Sequence, residues 1–410
     1  MDYGYQPRIS FFQHFRQKAG QLQILGFFVL LAVMAVSPAH GQKFSVVDSF
    51  VGTPDAANPR AGLVEDSKGN LYGTSAFGGA NGVGSIFRVD KAGNESVVYS
   101  FDITHGAFPL AALIVDSTDN LYGTASVGGA HSQGVVFEFS TRKSGESTLY
   151  DFTGQNDGGG PSGGLARDDN GNLYGTAMTG GAFGGGVVFK LTTKGKFIVM
   201  HSFCSKQNCA DGQGPTAGLT IDPDFNLYGT TQYGGYQNCS GGQASGCGVI
   251  FRVTQKKKET VLYAFCPVQN CTDGANPVAG VIRDTSGNLY GTTFSYGNPN
   301  NGCGTVFKLD SSRAFAVLYS FNGVPDGCGS EANLLFGGNN VLYGTTVLGG
   351  DSNFGTVFKL AANEKVLHSF NGGDGAGIYG SLILNSNGKL YGTANSGGSF
   401  GDGTVFKLKP

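Results

Sequence analysis

Apolar residues in this chain come in short runs closed by Gly, Asn, Asp or Pro, and the runs return in groups of four. The fifth group shows the pattern best: Val-Ala-Gly-Val-Ile at 278–282, Asn-Leu-Tyr-Gly-Thr-Thr at 288–293, Gly-Thr-Val-Phe-Lys-Leu at 304–309 and Ala-Val-Leu-Tyr-Ser-Phe at 316–321. β-Branched and aromatic residues fill the runs while turn formers fill the gaps, which predicts four short strands. The alternation is incomplete, because neighbours such as Val306-Phe307 and Leu289-Tyr290 are both apolar. Both faces of each sheet must therefore be covered, as in a sheet held between two others.

The groups are copies of one unit. Leu-Tyr-Gly-Thr recurs at Leu71, Leu121, Leu173, Leu227, Leu289, Leu342 and Leu390, at spacings of 50, 52, 54, 62, 53 and 48. A period near 50 marks a supersecondary unit that buries its apolar surface only against its neighbours. Four antiparallel strands repeated seven times predict an all-β, seven-bladed β-propeller. The two ends agree: 44–50 reads as a fourth-strand run, whereas the chain finishes on a third-strand run at 403–408. The strand at 44–50 is expected to add as the outer strand of the last blade and close the ring.

Spacing separates framework from decoration. From the turn residue (Asp66, Asp116, Asp168, Asp222, Asp284, Gly337 or Asn385) to the following tyrosine is six residues in every copy. From that tyrosine to the third-strand Phe is 15 residues in five copies, but 23 between Tyr228 and Phe251 and 17 between Tyr290 and Phe307. Growth is thus confined to second-to-third-strand loops in blades 4 and 5, which share one face with the connections between blades. Loops on a rigid scaffold are where recognition sits, so Tyr233, Tyr236 and Tyr296, which have no repeat equivalents, are candidate ligand contacts. Asp211 and Asp273 belong to a set with Asp157, Asp326 and Asp374 that is read either as turn-forming or as a ring of carboxylates at the axial entrance. The repeated Asp-x-x-Gly-Asn is read as a capped turn, since it lacks the EF-hand spacing, and the repeated tyrosines as packing between blades.

Composition adds a destination. Only 14% of residues are charged and the formal net charge is -2, so no basic field is present to draw nucleic acid or anionic lipid. Arg8, Arg16 and Lys18 precede an apolar run at 24–36 and small residues at 37–41. This reads as a signal peptide over 1–41, leaving 42–410 as one propeller domain that is secreted, extracellular or periplasmic, and off the membrane once the leader is removed. Eight cysteines in an exported chain suggest disulfides. The simplest pairing is Cys204 with Cys209, Cys239 with Cys247, Cys266 with Cys271 and Cys303 with Cys328. No metal or cofactor is expected, as the histidines do not cluster in sequence.

The combination Gly-Asn-Leu-Tyr-Gly-Thr-Thr, Gly-Gly and Gly-Thr-Val-Phe-Lys-Leu resembles the GloVer (Gloeo/Verruco-type) tandem repeat family of exported bacterial proteins over 44–410. The resemblance implies export and a propeller-like repeat fold, and no particular activity. Gly337, Val341 and Lys389 depart from the pattern in blades 6 and 7. No nucleophile elbow or Cys-His pair occurs. The expected function is a non-catalytic, monomeric binding or scaffold propeller taking a glycan or protein at the loops of blades 4 and 5. The alternatives are a carbohydrate-active hydrolase or lyase using axial carboxylates and a structural envelope or matrix protein.

Overall fold

The computed structural model describes residues 43–410 apart from 237–238, 240–245, 268–269 and 386; the leader read at 1–41 lies outside the described residues. Seven four-stranded antiparallel sheets follow one another along the chain. The first is Val64–Glu65, Leu71–Ser75, Ser85–Val89 and Glu95–Ser100, with strands adjacent in sequence order. The seventh is Ile383–Leu384, Leu390–Ala394, Thr404–Leu408 and, from the other end of the sequence, Phe44–Ser49, which pairs Phe44 with Leu408 and Ser49 with Thr404. The ring closes as the unequal chain ends predict, and the edge of the last blade is paired.

One aromatic contact repeats seven times. The Phe after each fourth strand packs edge-on against the third-strand Phe of the next blade, with centroids 4.9–5.4 Å apart, from Phe50 on Phe87 round to Phe370 on Phe406. All fourteen rings are fully buried. Such pairs add about 0.5–1.5 kcal/mol each beyond the area they bury. The Leu-Tyr-Gly-Thr glycine makes room for them. A Cβ at Gly175 would stand 2.6 Å from the Phe189 ring, so the space serves the cross-strand Phe of the same blade rather than the neighbouring sheet.

A second repeated contact ties the blades near the axis. The Thr of Leu-Tyr-Gly-Thr donates its hydroxyl to a carbonyl of the next blade: Thr74 to Ala111 at 3.0 Å, Thr124 to Gly163 at 3.2 Å, Thr176 to Ala217 at 2.8 Å, Thr230 to Ala279 at 2.7 Å, Thr345 to Gly380 at 3.3 Å and Thr393 to Ala61 at 2.7 Å. Thr292, the seventh, has a buried Oγ1 without a partner. The acceptors lie in a segment expected to be strand. In blade 5 only Ile282–Arg283 of that run pairs as one, because the residues before it are recruited to this hoop.

The turns between first and second strands are capped as expected. Asp66 Oδ1 accepts the Lys68 and Asn70 amides at 2.9 and 2.8 Å, and Gly69 takes φ +79°. Gly337 and Asn385 stand at that position in blades 6 and 7. Asn385 still accepts from the Lys389 amide at 2.9 Å, while Gly337 relies on its own backbone bond to Val341.

Candidate functional site

The antiparallel order puts turns 1–2 and 3–4 on one face of the ring, and loops 2–3 with the blade-to-blade connections on the other. The two faces differ chemically. The turn face carries Asp90-Lys91, Lys194, Lys196, Lys256-Lys257-Lys258 and Asp310. Among the described residues fifteen large apolar side chains are exposed, and eleven of them lie on the loop face: Val51, Phe77, Ile103, Val127, Met178, Phe183, Tyr236, Val324, Leu348, Phe354 and Phe400. The other four, Val317, Leu318, Phe336 and Leu384, are in strands. Exposed apolar groups are thus divided unequally between the two faces.

At the centre of the loop face, residues from all seven blades line an axial cavity of about 350 Å³. Its lining follows the frame Pro-x-Ala-Gly-Leu, in which x is Arg60, Leu110, Ser162, Thr216, Val278, Glu331 and Tyr379 round the ring. Three of these form one group. Arg60 Nη2 stands 3.7 Å from Glu331 Oε2, and the Arg60 guanidinium carbon lies 4.2 Å from the centre of the Tyr379 ring. The Arg60 side chain is 39% exposed and that of Glu331 28%. Burial pushes the Glu331 carboxyl above the ordinary range, with Arg60 pulling it back. Blades 6 and 7 depart furthest from the frame, reading Ser330-Glu331-Ala332-Asn333-Leu334 and Ile378-Tyr379-Gly380-Ser381-Leu382. Asn333 replaces the Gly, accepts the Gly280 amide on its Oδ1 at 2.7 Å and donates its backbone amide to the Ser381 hydroxyl oxygen at 3.0 Å. The unpartnered Thr292 and Ser330 hydroxyls fall at this same break. The trio thus offers a stacked guanidinium, a carboxyl and an aromatic edge to one polar group arriving along the axis.

The cysteines pair as expected: Cys204–Cys209, Cys239–Cys247, Cys266–Cys271 and Cys303–Cys328 are disulfides. The fourth ties the loop of blade 5 to the connection into blade 6. Asp211 and Asp273 are not at the axial entrance. Asp211 is fully buried, accepts the Ser205 amide and hydroxyl at 3.0 and 2.6 Å, and stands 3.3 Å from His201 Nε2. The hydrogen bonds of His201 and Ser205 outweigh burial and lower its pKa to about 2. Asp273 accepts the Tyr263 hydroxyl and the Cys266 amide, each at 2.9 Å. Asp157, Asp326 and Asp374 bind Tyr150, Tyr319 and His368 in the same way. The physical reason is a common one: the chain leaving each outer strand needs an acceptor for its first amide and for the Tyr or His of that strand. The set is a pin at the rim, not a ring at the axis.

Tyr236 is exposed, while Tyr233 and Tyr296 are half-buried. Tyr233 bridges to Gln213 through backbone bonds of 2.9 Å in both directions, and Tyr296 packs on the core shared by Cys247, Phe265 and Cys271. Sequence reasoning missed Arg60, Glu331 and Tyr379. A signal was present: they occupy the freely varying position of an otherwise repeated frame. On the turn face a larger polar groove of about 640 Å³ runs between blades 7 and 1, lined by Glu65, Lys68, Lys91, Tyr391 and Lys407. Its acids Asp66 and Asp90 are committed to capping turns, so less of it is free to bind.

This architecture defines a seven-bladed β-propeller with a disulfide-stapled loop face. The chain belongs to the Gloeobacter/Verrucomicrobia repeat family, whose model matches residues 32–241 and 236–410. No curated protein matches the sequence. Among solved structures, the chain is similar to a streptogramin B lyase, at 15% identity and a TM-score of 0.58, covering 90% of this chain and 97% of that one. It is also similar to the extracellular domain described for a hybrid two-component system of B. thetaiotaomicron, at 12% identity and a TM-score of 0.58, covering 89% of this chain and 39% of that one. At these identities the likeness is one of fold, and propellers host many functions. Among the described residues no helix is long and apolar enough to cross a membrane.

Proposed function

We propose that the protein is an exported, non-catalytic binding module that docks a protein partner on its loop face, centred on Arg60, Glu331 and Tyr379 and extending to Tyr236 over blades 4 and 5. The observation that carries this reading is the concentration of exposed Phe, Leu, Val, Ile and Met side chains on that face. Aliphatic and Phe side chains gain from burial against a protein surface and offer no hydrogen bond to sugar hydroxyls, which favours a protein over a glycan. Four disulfides suit an oxidising compartment outside the cytosol.

The test uses the immobilised oxidised chain, the loop-face variant Phe77→Asp/Leu348→Asp and the turn-face variant Lys91→Glu/Lys257→Glu. Each is exposed to envelope proteins of the producing cell and to a polysaccharide panel. A protein retained by the wild type and the turn-face variant, and lost from the loop-face variant, supports the proposal. Retention of a polysaccharide alone replaces the protein partner with a glycan. Shortened polysaccharide overturns the non-catalytic reading in favour of a hydrolase or lyase.

A further inference from the structure

Four of the eight cysteines converge on one point. The Sγ atoms of Cys239, Cys247, Cys266 and Cys271 all lie within 4.8 Å of one another, and Cys239 Sγ is 3.9 Å from Cys266 Sγ, across the two disulfides. The pairs come from different places: Cys239–Cys247 from the extended loop of blade 4, and Cys266–Cys271 from the connection leading into blade 5. Cys247, Cys266 and Cys271 are fully buried or nearly so, and Cys239 is half-buried against the same core.

Stapling alone does not call for this arrangement. Cys204–Cys209 has the same Phe-Cys-x-x-x-x-Cys setting one blade earlier and holds its connection without a second pair beside it. There, the facing position in the blade 3 loop is Gly185, whose Cβ would stand 2.7 Å from Cys204 Sγ. Blade 4 instead lengthens its loop and returns two sulfurs to that region. Four thiolates round one Zn²⁺ at about 2.3 Å form a tetrahedron with edges of about 3.8 Å, close to the spacing already present between Cys239 and Cys266.

We propose that these four cysteines form a redox-gated soft-metal site, closed as two disulfides when oxidised and taking one Zn²⁺ as a Cys₄ centre when reduced. Opening requires a thiol or phosphine reductant. With a phosphine, each disulfide consumes one phosphine and one water and yields two thiols and a phosphine oxide. Binding of Zn²⁺ then releases the four thiol protons and forms four Zn–S bonds. The metal neutralises charge that four adjacent thiolates would otherwise concentrate in a buried position, and it joins the blade 4 loop to the connection leading into blade 5, two segments that the disulfides, each within one of them, do not link.

The experiment reduces the full chain anaerobically with a phosphine, removes excess reductant and titrates Co²⁺, followed by displacement with Zn²⁺. The expected result is one equivalent with tetrahedral thiolate absorbance, unchanged in Cys204→Ser/Cys209→Ser and lost in Cys239→Ser/Cys247→Ser. Because a cysteine variant can fail to fold, a second measurement uses the wild type: Zn²⁺ should slow alkylation of Cys239, Cys247, Cys266 and Cys271 at least tenfold and leave Cys204, Cys209, Cys303 and Cys328 reactive. Absence of a stoichiometric Co²⁺ complex overturns the proposal, as does protection spread equally over all eight thiols.

Discussion

Two sectors of the loop face are specialised by different means. In blades 4 and 5 the chain adds residues and staples them: the tyrosine-to-Phe spacing grows to 23 and 17 residues, and all four disulfides lie between residues 204 and 328. In blades 6, 7 and 1 nothing is inserted, yet Glu331, Tyr379 and Arg60 replace the small or aliphatic residues that blades 2 to 5 place at the same axial position. Decoration by insertion needs covalent ties because the added backbone has no blade to rest on. Substitution at a framed position needs none, since the threonine hoop holds the residues beside Arg60 and Tyr379, and Asn333 ties the Glu331 segment to Gly280 and Ser381. The second device places charge on the axis without disturbing the blade.

If both sectors share one framework, breaking it should cost the same in each. Phe307→Ala in blade 5 and Phe406→Ala in blade 7 remove equivalent, fully buried rings. Each is expected to lower unfolding free energy in urea by about 3–5 kcal/mol, and unequal losses would show that the staples carry stability assigned here to the ring. Removing the staples should cost less and scale with the loop closed. Cys303→Ser/Cys328→Ser, at a separation of 25 residues, should lose about 3–4 kcal/mol, and Cys204→Ser/Cys209→Ser, at a separation of five, about 2 kcal/mol. The axial sector behaves oppositely. Arg60→Ala is expected to change stability by less than about 0.5 kcal/mol and to weaken partner retention about tenfold, the effect of losing one interfacial arginine of modest weight.

The smallest effect is a pH dependence at the closure of the ring. Asp48 stands where other blades carry Tyr or His on the outer strand, so the carboxylates Asp48 and Asp55 share the site with Glu95. Burial, then a hydrogen bond to Asp55 and the charges of Asp55 and Asp48, push the Glu95 carboxyl up to about 9. Between its ordinary value of 4.5 and about 9 the folded chain holds a proton that the unfolded chain has lost. Stability contributed by Glu95 therefore falls as pH rises through that window, and Glu95→Gln should flatten the decline of Tm. An unchanged slope would place the sensitivity elsewhere.

Much of the fold was legible because the repeat states its frame seven times. Blade number, ring closure, the capped turns and the cysteine pairing all follow from spacing. The site was less legible for physical reasons. Tyr236 stood out because it lies in an insertion, whereas Arg60 and Glu331 are 271 positions apart and meet only because the ring brings blades 1 and 6 to one axis. Asp211 and Asp273 stood open between two readings because a carboxylate that pins an outer strand and one that faces the axis look alike in a repeat. Only the hydrogen bonds from Ser205, Tyr263 and Cys266 tell them apart.

The central claim, that one face of the ring is the one used, is tested most directly by carbene footprinting of the oxidised chain alone and mixed with envelope proteins of the producing cell. Reduced labelling at Phe77, Leu348, Phe354 and Tyr379, with unchanged labelling at Lys91, Lys194 and Lys257, is the predicted result. Labelling that stays the same on both faces, or falls on the turn face, would contradict the claim.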